Sequence, residues 1–276
     1  MRKTWKDAIA FVTGGGSGIG RALSLELARR GARVTVTDVN GETAAKVAAE
    51  AGDGATSRAL DVRDAEAVRE AITDTAKRGG RLDLLINNAG IGVNGEAHEI
   101  PLPHWDRILD INVRGVVHGI VAGYPIMVRQ KSGHIINVAS LAGLGPCPLL
   151  TPYSMTKHAV VGLSTNLRIE AAAHGVHVSV LCPAAIETPL LDSGNPRDLP
   201  TVPWGPNIRR LLEALAGPPY AVDALAREAL DAAAKDEAII VIPSHARFLW
   251  RLGRLFPALS EKGGGAAIAK ERAMRV

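Results

Sequence analysis

Tyr153 and Lys157 stand four residues apart at the start of a predicted helix, so their side chains share one helical face. A free tyrosine has a pKa of about 10, so only about one phenol in a thousand is ionised at pH 7. Bringing that value to about 7 takes about three units, or roughly 4 kcal/mol of preference for the phenolate. A lysine ammonium in a desolvated cleft, together with the positive charge of a nicotinamide, can supply it. Such a phenolate accepts the proton of a secondary alcohol while hydride leaves the carbon, and the reverse reaction reduces a ketone. Ser140 ends a predicted strand at the sheet edge where ligands bind, and its hydroxyl suits a hydrogen bond to the substrate oxygen.

A second constellation lies near the start of the chain. Thr13-Gly14-Gly15-Gly16-Ser17-Gly18-Ile19-Gly20 connects the first predicted strand to the first predicted helix. Glycines let the backbone turn tightly and approach a pyrophosphate with no Cβ in the way. The helix N-terminus adds unpaired N–H groups and a partial positive charge. Asp38 ends the second strand, 18 residues past Gly20, where an acid can hydrogen-bond the adenosine ribose. A carboxylate there repels the extra phosphate of NADP. Val39 follows it, so no adjacent arginine offsets the repulsion, and NAD is the expected cofactor.

The elements that must position these residues alternate along the chain. Buried strands are predicted at Ala8–Thr13, Arg33–Asp38, Leu82–Asn87, His134–Ser140, Val176–Cys182 and Ala238–Ile242, with a less apolar one at Thr56–Asp61. Helices are predicted at Gly18–Arg30, Glu42–Ala51, Ala65–Lys77, Leu102–Gln130, Tyr153–His174 and Ala221–Lys235. Asp64 is a candidate N-cap for the third. Continuous apolar strands between helices imply an α/β, Rossmann-type doubly wound parallel sheet of about seven strands, covered by helices on both faces. One catalytic domain over residues 1–276 is expected, with a Pro- and Gly-rich flap at about 184–220 and a C-terminal extension at about 244–276. A short helix at Asn207–Leu215 fits inside the flap.

Composition narrows the function classes. The net charge of +4 comes without a Lys/Arg run or an aromatic-basic stripe, so nucleic acid is not an expected partner. Cys147 and Cys182 are far apart and lack a metal-ligand pattern, which fits free thiols in the cytoplasm. The apolar run Ala8–Val12 behind the charged Met1–Lys6 is too short for a signal sequence or a membrane span. His98 with His104, and His174 with His177, lack an accompanying ligand motif, so no metal is expected. Gly162-Leu163-Ser164-Thr165-Asn166 lacks the closing glycine of a nucleophile elbow, which argues against serine hydrolysis.

The order of these motifs resembles the short-chain dehydrogenase/reductase family over about residues 8 to 190. Thr13-Gly14-x-x-x-Gly18-Ile19-Gly20 is similar to its cofactor loop, with Gly16 and Ser17 inside it. Asp61-Val62 resembles the pair that contacts adenine, and Asn87-Asn88-Ala89-Gly90 the motif that steadies the sheet and borders the cofactor. The resemblance implies a tetrad of Asn112, Ser140, Tyr153 and Lys157. In it Asn112 holds a water in a proton relay and Lys157 also binds the nicotinamide ribose. Pro183, Ile186 and Thr188 are implied on the nicotinamide side. Ala184 stands where the family has glycine, which would strain the backbone if that position needs positive φ. A homotetramer or dimer is implied, joined through Leu102–Gln130 and Tyr153–His174.

The small-molecule substrate is expected between the tetrad and the flap. Ser140, Leu141, Leu144, Leu149, Leu150, Tyr153, Leu190, Leu191 and Trp204 are candidate walls, and their apolar character suggests a hydrophobic, cyclic, aromatic or terpenoid-like alcohol. Phe248, Leu249, Leu252, Leu255, Phe256 and Leu259 form a helical stripe beside Arg247, Arg251 and Arg254. Packing on the cleft or a neighbouring subunit is expected of it, rather than membrane attachment. Two rivals share the fold. An NADPH-dependent ketoacyl-thioester reductase would conflict with Asp38-Val39, and a non-catalytic nucleotide sensor would typically lack the tyrosine or the lysine.

Overall fold

The computed structural model describes residues 5–275; Met1–Thr4 and Val276 lie outside the described residues. The first half of the chain forms β1 (Ile9–Thr13), α1 (Gly18–Arg29), β2 (Arg33–Asp38), α2 (Gly41–Ala51), β3 (Thr56–Ala59), α3 (Ala65–Gly79) and β4 (Leu84–Asn87). The second half continues through α4 (Leu102–Leu109), α5 (Gly115–Gln130), β5 (Gly133–Val138), α6 (Thr151–Ala172) and β6 (Val176–Pro183). It ends with α7 (Ile208–Ala216), α8 (Val222–Ala234), β7 (Ile239–Ile242), α9 (Ser244–Leu255) and α10 (Pro257–Arg272).

The seven strands are all parallel, in the order β3-β2-β1-β4-β5-β6-β7. This is the expected doubly wound sheet. Its order reverses between β1 and β4, which opens a crevice at the carboxyl ends of the strands. Alternation along β1 shows how the layers form. Ala10 and Val12 face a cluster with Leu23, Leu27, Leu225 and Leu230 of α1 and α8, while Phe11 faces Ile72, Met127 and Ala171 of α3, α5 and α6. Each fully buried large side chain contributes about 1.5–3 kcal/mol. The caps are local. Asp64 accepts hydrogen bonds from the Glu66 and Ala67 amides, and Asn40 does the same for Glu42 and Thr43.

Two expected elements differ. The predicted helix Leu102–Gln130 is two helices joined by a π-helical turn at Asp110–Arg114, which holds the buried Asn112. An extra residue per turn re-aims a side chain without ending the helix, and composition gives no sign of it. By length and apolarity this stretch could also span a membrane. Here Val116, Gly119, Gly123 and Met127 are buried, and Met127 packs in the core beneath the sheet. The second difference is at β5, which ends at Val138. Ser140 lies beyond the strand and caps a short 3-10 turn, its hydroxyl accepting from the Ala142 amide at 3.2 Å.

Candidate active site

The glycine loop is built for close approach. Gly14 has φ +61°, and a Cβ there would lie 2.8 Å from the Ala89 Cα. A Cβ on Gly20 would lie 2.1 Å from the Gly14 carbonyl oxygen, so α1 could not pack against the loop. Asn88, just past β4, holds this arrangement. Its Nδ2 donates to the Thr13 and Gly14 carbonyls at 2.9 and 3.0 Å, while its own amide and that of Ala89 donate to Thr13 Oγ1. Ser17 caps α1 with no side-chain hydrogen bond, and the first turn carries no acid. The helix N-terminus is thus left to an anion, which is what a pyrophosphate requires.

Asp38 stands at the end of β2, on the wall of the same cleft. Its carboxylate accepts from the Gly16 and Asn40 amides, each at 3.0 Å. Asp61, at the neighbouring strand end, is ion-paired with Arg63, which holds its carboxyl below the usual range. Arg63 and Arg107 also line the cleft, and sequence reasoning missed both because they follow no motif. Each is matched by an acid, Arg63 by Asp61 and Arg107 by Asp198 at 3.0 Å.

The tyrosine and lysine lie in the first turns of α6, as their spacing requires. Lys157 Nζ donates to the Val138 carbonyl at 2.9 Å and sits 5.5 Å from the centre of the Tyr153 ring. Burial pushes the Tyr153 phenol up to about 12, against a hydrogen bond from Ser140 that acts the other way. Burial likewise pushes Lys157 down to about 8. Beneath them, Cys182 is pushed up to about 12 by burial, and so is Cys147 on the cleft wall. Both thiols are free, and protonated thiols at that value are not nucleophiles.

Asn112 lies behind the site rather than on the cleft wall. Its Oδ1 accepts from the Ile91 amide at 2.9 Å, and its Nδ2 donates to the Ile91 carbonyl and to Thr156 Oγ1. Gly90 fits between Asn112 and Lys157, and a Cβ there would lie 3.2 Å from Asn112 Oδ1. The asparagine side chain therefore braces the β4 turn against α6.

One cleft of about 1470 Å³ joins these groups. Gly14, Ser17, Gly18, Ile19, Asp38, Asp61, Val62, Asn88, Ala89 and Gly90 line one part of it, and Ser140, Tyr153, Lys157, Pro183, Ile186 and Thr188 line the centre. Gly16 and Gly20 sit behind the wall as packing positions. Ala184 is not among the described residues with positive φ, so alanine is unstrained there. Leu141, Leu144, Leu150, Leu190 and Leu191 are walls as expected.

Leu149 and Trp204 are corrections, because neither lines the cleft. Leu149 is buried with φ +64° and accepts the Gly95 amide through its carbonyl. Trp204 packs under Leu211 and carries the Arg275 guanidinium 5.2 Å from its ring centre. Their places are taken by Ile208, Leu212 and Leu215 of α7 and by Leu249, Trp250, Leu252, Pro257 and Leu259 of the C-terminal helices. Apolar spacing marks both regions as helical, at Asn207–Leu215 and along the stripe from Phe248 to Leu259, but not which of their side chains face the cavity.

A doubly wound sheet with a glycine-rich loop at its switch point and a tyrosine–lysine pair in the same cleft is the arrangement of a dinucleotide-binding α/β fold. The short chain dehydrogenase family model matches residues 8–198, and the chain belongs to that family. Levodione reductase of Leifsonia aquatica is 36% identical over 204 residues, covering 69% of this chain and 76% of that protein. The probable oxidoreductase EphD of Mycobacterium tuberculosis is 40% identical over 187 residues. That match covers 66% of this chain and spans only 31% of EphD.

Among solved structures, a short chain dehydrogenase/reductase from Burkholderia phymatum in complex with NAD aligns with a TM-score of 0.84 at 29% identity, covering 93% of this chain and 96% of that one. The 3-ketoacyl-(acyl-carrier-protein) reductase of Brucella melitensis, complexed with NADH, aligns at 0.75 with 31% identity, covering 86% and 97%.

Proposed function

We propose that this chain is an NAD-dependent dehydrogenase or reductase that interconverts a hydrophobic secondary alcohol and its ketone. The observation that carries this reading is the convergence of Ser140, Tyr153 and Lys157 on the same cleft as the glycine loop and Asp38. Gly14, Ser17, Gly18 and Ile19 would hold the pyrophosphate, Asp38 the adenosine ribose, and Pro183, Ile186 and Thr188 the nicotinamide end. NAD, when bound, supplies the hydride acceptor and a positive charge.

The residues of the chain move the proton. With the phenol near 12 and the lysine near 8, the resting site at pH 7 holds a protonated tyrosine beside a largely charged ammonium. That state is ready to donate a proton to a carbonyl oxygen, the direction of ketone reduction. Alcohol oxidation needs the phenolate, and lowering the phenol to about 7 or 8 takes about 6 kcal/mol of added positive potential. Ser140 orients the substrate oxygen, and Asn112 positions Lys157 by bracing the Gly90–Ile91 turn.

The ketoacyl-thioester reading keeps one specific support, the Brucella melitensis neighbour. Because that protein is complexed with NADH, Asp38 alone does not separate the two readings. The apolar walls from α7, α9 and α10 suit a lipophilic substrate. We further propose a homo-oligomer that covers the outward faces of α5 and α6, where Val121 is 68% and Ile169 78% exposed. The cytoplasm is the compartment we propose, in keeping with two unpaired cysteines.

The test is NADH fluorescence during turnover of a panel of secondary alcohols, ketones and a ketoacyl thioester, each with NAD and NADP cofactors. Turnover of the alcohols or ketones with NAD is expected. Turnover confined to the thioester, or to NADP, would overturn the proposal.

A further inference from the structure

Half of the C-terminal stripe does what its sequence suggests. Leu249, Leu252 and Leu259 join the cleft wall, and Ala246 of α9 is buried against Val241. The other half faces outward. Phe248 is 66%, Leu255 74% and Phe256 55% exposed, and none of the three lines the cleft. Phe248, Arg251 and Leu255 follow each other at i, i+3 and i+7, so they share one face of α9.

The charge of the protein is concentrated in the same place. Residues 244–275 carry seven Lys and Arg against two Glu, a net +5, so the rest of the chain is close to neutral and this segment accounts for the positive charge of the protein. Arg272 and Arg275 are matched by Glu96 and Glu99, and Arg210 from α7 occupies Glu271. Arg251 and Arg254 stand exposed next to the apolar patch, on a helix with no acid. Glu261 is the nearest carboxylate in sequence, in the second turn of α10, with Lys262 beside it.

We propose that this face docks the protein on an anionic phospholipid surface. Exposed phenylalanine and leucine flanked by arginine is the pattern of a helix lying in a membrane interface. A cation adjacent to such a surface adds about 1 kcal/mol of attraction. A second copy of the chain suits this face less well, because a two-fold contact through Phe248 and Leu255 sets the Arg251 clusters of the two copies together.

The position is also informative. Leu249, Leu252, Arg254, Pro257 and Leu259 line the cleft from the same two helices, so docking turns that wall toward lipid. A lipophilic alcohol dissolved in the bilayer would then reach the site without crossing water. The docking rests on the surface alone, while this delivery rests on the proposed activity.

The experiment is co-sedimentation of the full chain with vesicles of phosphatidylcholine mixed with phosphatidylglycerol, and with phosphatidylcholine alone, at low and high salt. Binding is expected to the mixed vesicles, to fall with salt, and to be weak on phosphatidylcholine. Arg251→Gln combined with Arg254→Gln should lower partitioning about 25-fold, about five-fold for each cation. Phe248→Ser combined with Leu255→Ser should abolish it, with the melting temperature and the solution mass unchanged because both side chains are exposed. Equal binding to both vesicle types, or no loss in either variant, would overturn the proposal. A change of solution mass in the Phe248→Ser, Leu255→Ser variant would overturn it in favour of a self-association face. None of these readouts depends on turnover, so a failure of the proposed activity is scored separately.

Discussion

Replacing Lys157 with methionine should abolish turnover and yet stabilise the fold at neutral pH. Lys157 is only 4% exposed, and burial holds its pKa near 8 where an unfolded chain has 10.5. That gap is worth about 3 kcal/mol against the folded state at any pH below 8, where both states are protonated. Methionine removes the buried charge but also the hydrogen bond to the Val138 carbonyl, which offsets about 1 kcal/mol. The net gain at pH 7 is therefore about 2 kcal/mol, or about 3–4 °C in melting temperature for a chain of this length.

Its pH dependence is the sharper signature. Between pH 8 and 10.5 the unfolded wild type holds more protons than the folded one, so wild-type stability rises with pH across that window. The advantage of Lys157→Met should shrink over the same range and become a deficit of about 1 kcal/mol at its upper end. Thermal or urea unfolding of both proteins from pH 6 to 10.5, without cofactor, reads this directly. A variant that is less stable at pH 7, or a difference that does not change with pH, would refute the buried-charge reasoning.

Other expectations are simpler. Asp38→Ala should weaken NAD binding and relax discrimination against NADP by about ten-fold, the size of carboxylate–phosphate repulsion across a partly solvated cleft; parallel titrations with both cofactors measure it. Asn88→Ala deletes two hydrogen bonds to the glycine loop and should cost about 2 kcal/mol in urea unfolding, together with NAD affinity. Glu271→Gln should cost about 1–2 kcal/mol at pH 7, discounted because its partner Arg210 is half exposed. The carboxyl is held below its usual range, so that loss should fade as the pH drops through the carboxylate range.

What the sequence discloses follows from which interactions are local. The inner strands of the sheet are buried, largely apolar runs, while the exposed edge strand β3 is not, and Asp64 caps the helix that begins one residue later. The tyrosine and lysine share a face because an α-helix has 3.6 residues per turn. Features set by distant contacts are not written this way. The π turn at Asn112 depends on a bond to Ile91, 21 residues back, and on Thr156, 44 residues on. Leu149 and Trp204 are apolar like the residues that do line the cleft, and only tertiary packing decides which face the cavity. The C-terminal stripe was legible as helical, but neither its break at Phe256 between α9 and α10 nor its division between cleft wall and exposed face was.

The central claim is that Tyr153 transfers the proton in a nicotinamide-dependent reaction, and the most direct test is Tyr153→Phe. The substitution keeps the ring and its packing and removes only the hydroxyl. NAD titration and steady-state turnover of the best alcohol or ketone should be measured side by side with the wild type. The account predicts nearly unchanged NAD affinity with turnover lost. Turnover close to wild type in the phenylalanine variant would contradict it.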